Sequence, residues 1–246
     1  MQEFVGDHAF WIALIQIIGI DIVLSGDNAV VIALAARSLP EADRRRAVMW
    51  GSSAAVVMRV TLTIVAAELL RLPLLKAAGA GLLLWIAVQL LLPEDEGEGE
   101  GEAIKGGFFA AIKTIMLADL VMSMDNVVAI AGASKGSLLL LVLGLGLSIP
   151  LVVFSSTFLM KVMERFPIVV TGGAALLGFV AGEMVVNDLL LGPWIDANAA
   201  WLHRALPIAG AVFVVGTGKL LAARKARREA LELSLGEASP ESGTPR

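Results

Sequence analysis

Two apolar segments carry the same run of polar residues, and these residue types are the ones that hold metal ions. Residues 21–28 read Asp-Ile-Val-Leu-Ser-Gly-Asp-Asn, and residues 119–126 read Asp-Leu-Val-Met-Ser-Met-Asp-Asn. On a continuous helix Asp21, Ser25 and Asn28 share one face, and the second copy repeats this stripe of carboxylate, hydroxyl and carboxamide. Such oxygen ligands favour Mg²⁺, Ca²⁺ or Mn²⁺ over copper or zinc. The pattern therefore predicts a site for a hard divalent cation.

The last aspartate of each copy lies off this stripe. On a regular helix Asp27 and Asp125 point about 120° away from Asp21 and Asp119. Local unwinding would bring them in, and Gly26 eases unwinding in the first copy only, since the second copy has Met124 there. We expect the two copies to distort unequally.

The chain around these acids is overwhelmingly apolar. It has 246 residues, of which 57% are hydrophobic and 17% charged, with a mean hydropathy of +0.82. Apolar runs of about 20 residues match the thickness of a bilayer core, so the sequence indicates a polytopic membrane protein and not a soluble enzyme. There is no cysteine, phosphate-binding loop or nucleophile–histidine pair, and we expect no enzymatic activity and no cofactor.

The same runs predict an all-α fold with seven transmembrane helices. The expected spans are residues 10–36, 47–70, 74–92, 107–133, 137–160, 168–187 and 205–223. The duplicated motif divides these helices into two three-helix repeats plus one extra helix. Because each repeat has an odd number of spans, the second would be inverted relative to the first, as in many secondary transporters.

This duplication sets the expected domain organisation. The first repeat covers 1–92, an acidic cytoplasmic linker 93–106, and the second repeat 107–190. An external loop and the seventh helix follow at 191–223, and then a disordered cytoplasmic tail at 224–246.

Two further charged residues fall deep inside predicted spans, where an isolated charge is costly. Arg59 is basic and is expected to be the counter-ion of one of the acids, with a structural or a gating role. Glu183 is either an ion ligand or proton carrier, or a structural acid. The predicted metal site thus comprises Asp21, Asp27, Asn28, Asp119, Asp125, Asn126 and Glu183, with Arg59 as counter-ion.

Most lysines and arginines fall on one side of the predicted spans, which places that side in the cytoplasm. The amino terminus is then outside and the carboxyl terminus cytoplasmic. The expected partners are a divalent metal ion and the lipid bilayer, with no nucleic acid; homo-oligomerisation stays open.

The two aspartate–asparagine motifs resemble those of the TerC family of integral membrane proteins, particularly its YjbE-type bacterial branch. Ser148-Ile-Pro150 and Ala181-Gly182-Glu183-Met184 add to the resemblance, which covers nearly all of residues 10–223. It implies seven spans in a bacterial inner membrane and a role in metal-ion homeostasis, chiefly Mn²⁺ efflux. It also implies ion contacts for the aspartates and asparagines of both motifs.

The resulting hypothesis is a secondary transporter that exports Mn²⁺, with cation/proton exchange as the conjectured coupling and Ca²⁺ or Mg²⁺ as alternative ions. Two other functions remain open. One is an amino-acid exporter of similar architecture, which would need a positive group in the core to bind a carboxylate. The other is a non-transporting membrane partner protein.

Overall fold

The computed structural model describes residues 8–24, 26–69, 72–92, 100–134 and 136–237. Within these ranges the fold is entirely helical. Its nine helices are α1 (His8–Leu24), α2 (Gly26–Ala36), α3 (Glu41–Leu69), α4 (Leu75–Gln89), α5 (Glu100–Ser134), α6 (Leu138–Arg165), α7 (Ile168–Val186), α8 (Leu191–Asn198) and α9 (Leu202–Glu237). The predicted all-α class is confirmed.

Within the described residues, fewer helices than the predicted seven are long and apolar enough to span a membrane. Five stretches are long and apolar enough: Glu41–Val65, Gly107–Met124, Leu138–Arg165, Ile168–Val186 and Leu202–Arg228. A sixth span results if α1 and α2, bent by 51° at their junction, are taken as one broken span. Helix α4 has 15 residues, or about 22 Å, and so falls short of the roughly 30 Å hydrocarbon core.

Two helices run further than the apolar pattern predicts. Helix α5 begins at Glu100, inside the predicted linker, and α9 continues to Glu237, so that residues 224–237 of the predicted tail are helical. Hydropathy marks only the segment that crosses lipid, whereas a helix continues into water as long as its residues favour it. The rest of the linker (93–99) and of the tail (238–246) lies outside the described residues.

Helix α5 is central to the packing because it contacts α1, α2, α3 and α4. Its buried side chains Ile115 and Val121 belong to a core that also includes Leu34 and Leu177. The second motif therefore lies in the middle of the bundle and faces the first motif on α1 and α2.

The contact between α7 and α9 depends on glycine. A Cβ added to Gly178 would overlap the carbonyl of Gly210, and one added to Gly182 would overlap the backbone of Leu206. Such small residues let helix backbones approach closely, as is common in membranes.

Candidate ion site

Three helices bring one charged side chain each to a single buried point. Asp21 lies near the end of α1, Arg59 in the middle of α3 and Asp119 in the middle of α5. Their exposed fractions are 1%, 3% and 8%. Such charges are stable in the interior only when they are paired, so the sequence requires these three helices to meet here.

The Arg59 guanidinium joins the two copies of the motif. One terminal nitrogen donates to Asp21 Oδ1 and the other to Asp119 Oδ1. Its Nε donates to Ser123 Oγ at 2.9 Å, and that hydroxyl donates to Asp119 Oδ2 at 3.1 Å. The planar guanidinium thereby holds one carboxylate from each copy.

Asn28 completes this polar cluster from α2. Its Nδ2 donates to Asp119 Oδ1 at 3.2 Å, so that a residue of the first copy directly contacts a residue of the second. Asn126 makes the reciprocal connection, because its Nδ2 donates to the Leu24 carbonyl oxygen at 3.4 Å. That carbonyl belongs to the last turn of α1, where a helix leaves backbone acceptors unused.

A small cavity lies beside the cluster. It has a volume of about 20 Å³ and is lined in part by Asp21, Asn28, Ser52, Arg59 and Asp119, which is room for one water molecule or one bare ion. Two buried oxygens on its wall, Asn28 Oδ1 and Ser52 Oγ, have no hydrogen-bond partner among the described residues. Oxygens in this condition indicate a place where a polar ligand can bind, because burying them without a partner is costly.

Asp27 lies next to the cluster at the break between α1 and α2. It is half-buried in the first turn of α2, where the positive end of the helix dipole favours a carboxylate. Its Oδ1 accepts a hydrogen bond from the Asn28 backbone at 2.9 Å, and it is close enough to interact electrostatically with Arg59 and Asp119. The break therefore places Asp27 beside the cluster, although Asp27 does not line the cavity.

One predicted ligand does not join this cluster, and another cannot be compared with it. Glu183 is exposed near the end of α7 and does not line the cavity. The side chain of Asp125 lies outside the described residues. Among the described residues, no group of three or more His, Cys, Asp or Glu is arranged to hold a metal ion, since Arg59 stands between Asp21 and Asp119.

Sequence reasoning missed Ser52 and Asp188. Ser52 looks like one small residue among several in the run Gly51-Ser-Ser-Ala54, and only the packing of α3 shows that it faces the cavity. Asp188 lies between α7 and α8 and is 2% exposed. It accepts backbone hydrogen bonds from Leu190 and Leu191 at 3.0 and 3.4 Å, which is a local capping pattern that a sequence can reveal.

Asp188 also links the start of α4 to the loop between α7 and α8 through hydrogen bonds. Its carboxylate accepts from the backbone nitrogens of Leu74 and Ala77 at 3.2 and 3.3 Å, at the start of α4. Burial raises the pKa of Asp188, but the backbone N–H donors outweigh it and hold the pKa below its ordinary value of 3.8. Asp188 thus serves as an ionised anchor outside the spans.

Comparisons with known proteins find relatives among membrane proteins. The model of the integral membrane protein TerC family matches residues 6–228. The membrane protein YjbE of Bacillus subtilis strain 168 is 40% identical over 209 residues, which cover 85% of this chain and 94% of YjbE. YkoY of the same strain is 24% identical, over 86% of this chain and 67% of its own.

A relative from a second organism is the inner membrane protein YgdQ of Escherichia coli strain K12. It is 29% identical over 203 residues, which cover 75% of this chain and 84% of YgdQ. No solved structure matches the chain. From the family match and the identity to YjbE, the chain belongs to the TerC family of integral membrane proteins.

Proposed function

We propose that the protein is a secondary transporter of a divalent cation and that it exports Mn²⁺ across a bacterial inner membrane. The observation that carries the proposal is the buried pair Asp21 and Asp119, one from each copy of the motif. They lie beside a cavity with two oxygens that have no hydrogen-bond partner in the described part of the chain. Buried acids inside membrane spans are costly and mark ion pathways.

The charge of the cluster suits a divalent ion. When ionised, Asp21, Asp27 and Asp119 carry three negative charges, and Arg59 supplies one positive charge. The excess of two negative charges in a poorly solvated site attracts a doubly charged cation or two protons. This balance supports cation/proton exchange, in which protons replace the ion on the return step.

The donor atoms suit a hard cation. The cavity lining offers the carboxylates of Asp21 and Asp119, the amide oxygen of Asn28 and the hydroxyl of Ser52. The carboxylate of Asp27, next to Asn28 in the chain, is a further oxygen ligand in the proposed site. Mn²⁺, Mg²⁺ and Ca²⁺ prefer such ligands. The choice of Mn²⁺ and the outward direction rest on the family resemblance, and the inner membrane rests on the name of the relative YgdQ.

Arg59 has to move for the ion to bind. Its guanidinium occupies Oδ1 of both Asp21 and Asp119, the atoms that an ion between them would use. We infer that Arg59 acts as a resident cation, which neutralises the site when the cargo is absent and yields the carboxylates when the cargo arrives. Rocking of two inverted three-helix repeats about this site would then give alternating access.

The same contacts argue against an amino-acid exporter. That function needs a positive group to bind the substrate carboxylate, whereas the acids around Arg59 leave the site with an excess of negative charge. A non-transporting partner protein remains the rival, and it predicts that neutral substitution of the aspartates leaves function intact.

The test is Mn²⁺ flux into proteoliposomes, followed with a metal-sensitive dye. We expect Asp21→Asn, Asp27→Asn, Asp119→Asn and Asp125→Asn each to lower the flux by about tenfold or more, because each removes a charge from the proposed ion site. Asp196→Asn is the matched control, since Asp196 is exposed and pairs only with His203 among the described residues. Flux at the wild-type rate in all four variants would refute the proposal. Competition with Mg²⁺ and Ca²⁺ identifies the preferred ion.

A further inference from the structure

A second, larger cavity lies away from the ion site, between the start of α3 and the end of α6. Its volume is about 670 Å³. The lining residues are Glu41, Arg44, Arg45, Pro150, Val153, Phe154, Thr157, Met160, Lys161 and Glu164. We call this cavity the α3–α6 groove.

The groove has a charged end and an apolar end. Five charged residues lie where the candidate span Glu41–Val65 begins and Leu138–Arg165 ends. We take these span ends as the level of the lipid headgroups. The apolar wall follows α6 back from Lys161 to Pro150, a distance of about 16 Å along the helix. This distance is close to half of the roughly 30 Å hydrocarbon core, which is the depth of one leaflet.

The charges at the headgroup end favour an anion. Arg44 forms an ion pair with Glu164 and donates from Nε to the Leu39 carbonyl oxygen at 2.6 Å, so it is engaged within the protein. Arg45 and Lys161 are exposed and line the groove. The one remaining acid in the lining, Glu41, lies in the first turn of α3, where the positive end of the helix dipole offsets its negative charge.

The apolar end presents surface that is unfavourable in water. The Phe154 side chain is 71% exposed on α6, and Val153 and Pro150 continue the same wall. A molecule with an anionic head and a hydrocarbon chain would satisfy both ends at once.

We propose that the α3–α6 groove binds one anionic phospholipid, with its phosphate on Arg45 and Lys161 and an acyl chain along Pro150, Val153 and Phe154. Basic pockets between transmembrane helices at the membrane surface recognise such headgroups, and charge-assisted hydrogen bonds from Arg and Lys to phosphate are strong. This lipid site is independent of the ion that the protein carries.

Native mass spectrometry of the purified full-length protein tests the proposal. The probes are phosphatidylglycerol, phosphatidylcholine of the same chain length, and inorganic phosphate. We expect one phosphatidylglycerol to be retained in preference to phosphatidylcholine. The double variant Arg45→Gln/Lys161→Gln is expected to lower the affinity for phosphatidylglycerol by about tenfold or more.

The matched control is Lys113→Gln/Lys219→Gln, which removes the same charge from exposed positions outside the groove. Its affinity for phosphatidylglycerol should equal that of the wild type. Equal retention of the two lipids, or equal losses in the two double variants, would overturn the proposal. Binding of inorganic phosphate as tight as that of the lipid would assign a simple anion site and would also overturn it. A dimer that dissociates only in the groove variant would instead assign the groove to a subunit contact.

Discussion

Replacing Arg59 by methionine should destabilise the protein strongly and in a way that the cargo ion reverses. The substitution keeps an unbranched stem as far as the position of Nε but removes the guanidinium, with its charge and its donors to Asp21, Asp119 and Ser123. Two carboxylates are then left facing each other at a point where Asp21 is 1% exposed. Breaking a buried ion pair by removing one partner costs about 3–5 kcal/mol.

The matched control is the same substitution at an arginine whose ion pair is exposed, so that the effect of burial on stability is measured apart from the loss of a charge. Arg44→Met breaks the ion pair with Glu164. The side chain of Arg44 is 27% exposed and that of Glu164 is 53% exposed. Water and salt already screen this pair, so its loss should cost about 1 kcal/mol or less. Both values are measured as free energies of unfolding in a zwitterionic detergent, with the fluorescence of the five tryptophans as the probe.

Added Mn²⁺ then tests whether Arg59 and the ion use the same carboxylates. In Arg59→Met the ion has no competitor, and saturation to 100 times its dissociation constant should restore about 2.7 kcal/mol. At the same Mn²⁺ concentration the wild type should be stabilised less, because the Arg59 guanidinium must first be displaced and the ion binds more weakly. A cost of Arg59→Met no larger than that of Arg44→Met, or equal stabilisation of both proteins by Mn²⁺, would refute the reasoning.

Three other outcomes follow from the structure. Asp188→Asn should lower the free energy of unfolding by about 1–3 kcal/mol at neutral pH. Because the folded-state pKa of Asp188 is lowered, this difference should persist above about pH 4 and shrink as the pH falls through that pKa. No difference at neutral pH would mean that the hydrogen bonds to α4 contribute nothing. Gly178→Val should separate α7 from α9 because its side chain would overlap the Gly210 carbonyl, and a melting temperature equal to that of the wild type would contradict this contact. Asn28→Ala should weaken Mn²⁺ binding measured by calorimetry, because Asn28 lines the cavity. Asn126→Ala should mainly lower the melting temperature, because Asn126 donates to the backbone of α1. Equal effects of the two variants on Mn²⁺ binding would contradict these different roles.

The sequence predicts the broad fold because its information is local. Runs of apolar residues give helices that cross a bilayer, and the repeated motif identifies which of them carry polar side chains. Gly26 indicates that the first copy is more distorted than the second, and the break between α1 and α2 confirms this. The sequence does not predict the short length of α4 or the 51° angle between α1 and α2, because those features depend on how the ends of helices are held. The anchor at Asp188 shows this best, as half of its donors come from Leu74 and Ala77, more than a hundred positions earlier in the chain.

Residue types in the candidate site are also more predictable than contacts. Charge balance alone associates Arg59 with an acid, and the structure shows that it contacts two. Helical spacing places Asp21 and Asn28 on one face, yet the unpartnered oxygen of Ser52 depends on how α3 packs. The helical period of 3.6 residues shows which side chains share a face of one helix, but not which residues of another helix they contact.

The two copies of the motif have the same residue types but different backbones, and this difference assigns them different roles. In the first copy α1 ends at Leu24 and α2 begins at Gly26, whereas the second copy lies within the continuous helix α5. Asn126 donates to the last turn of α1, so the continuous copy supports the broken one. Helix ends leave backbone groups available to a ligand, and interrupted helices bind ions in transporters for that reason. In the proposed transporter, the break at Gly26 would make the first copy the half that changes its contacts with the ion, while the continuous helix α5 would hold Asp119 in place.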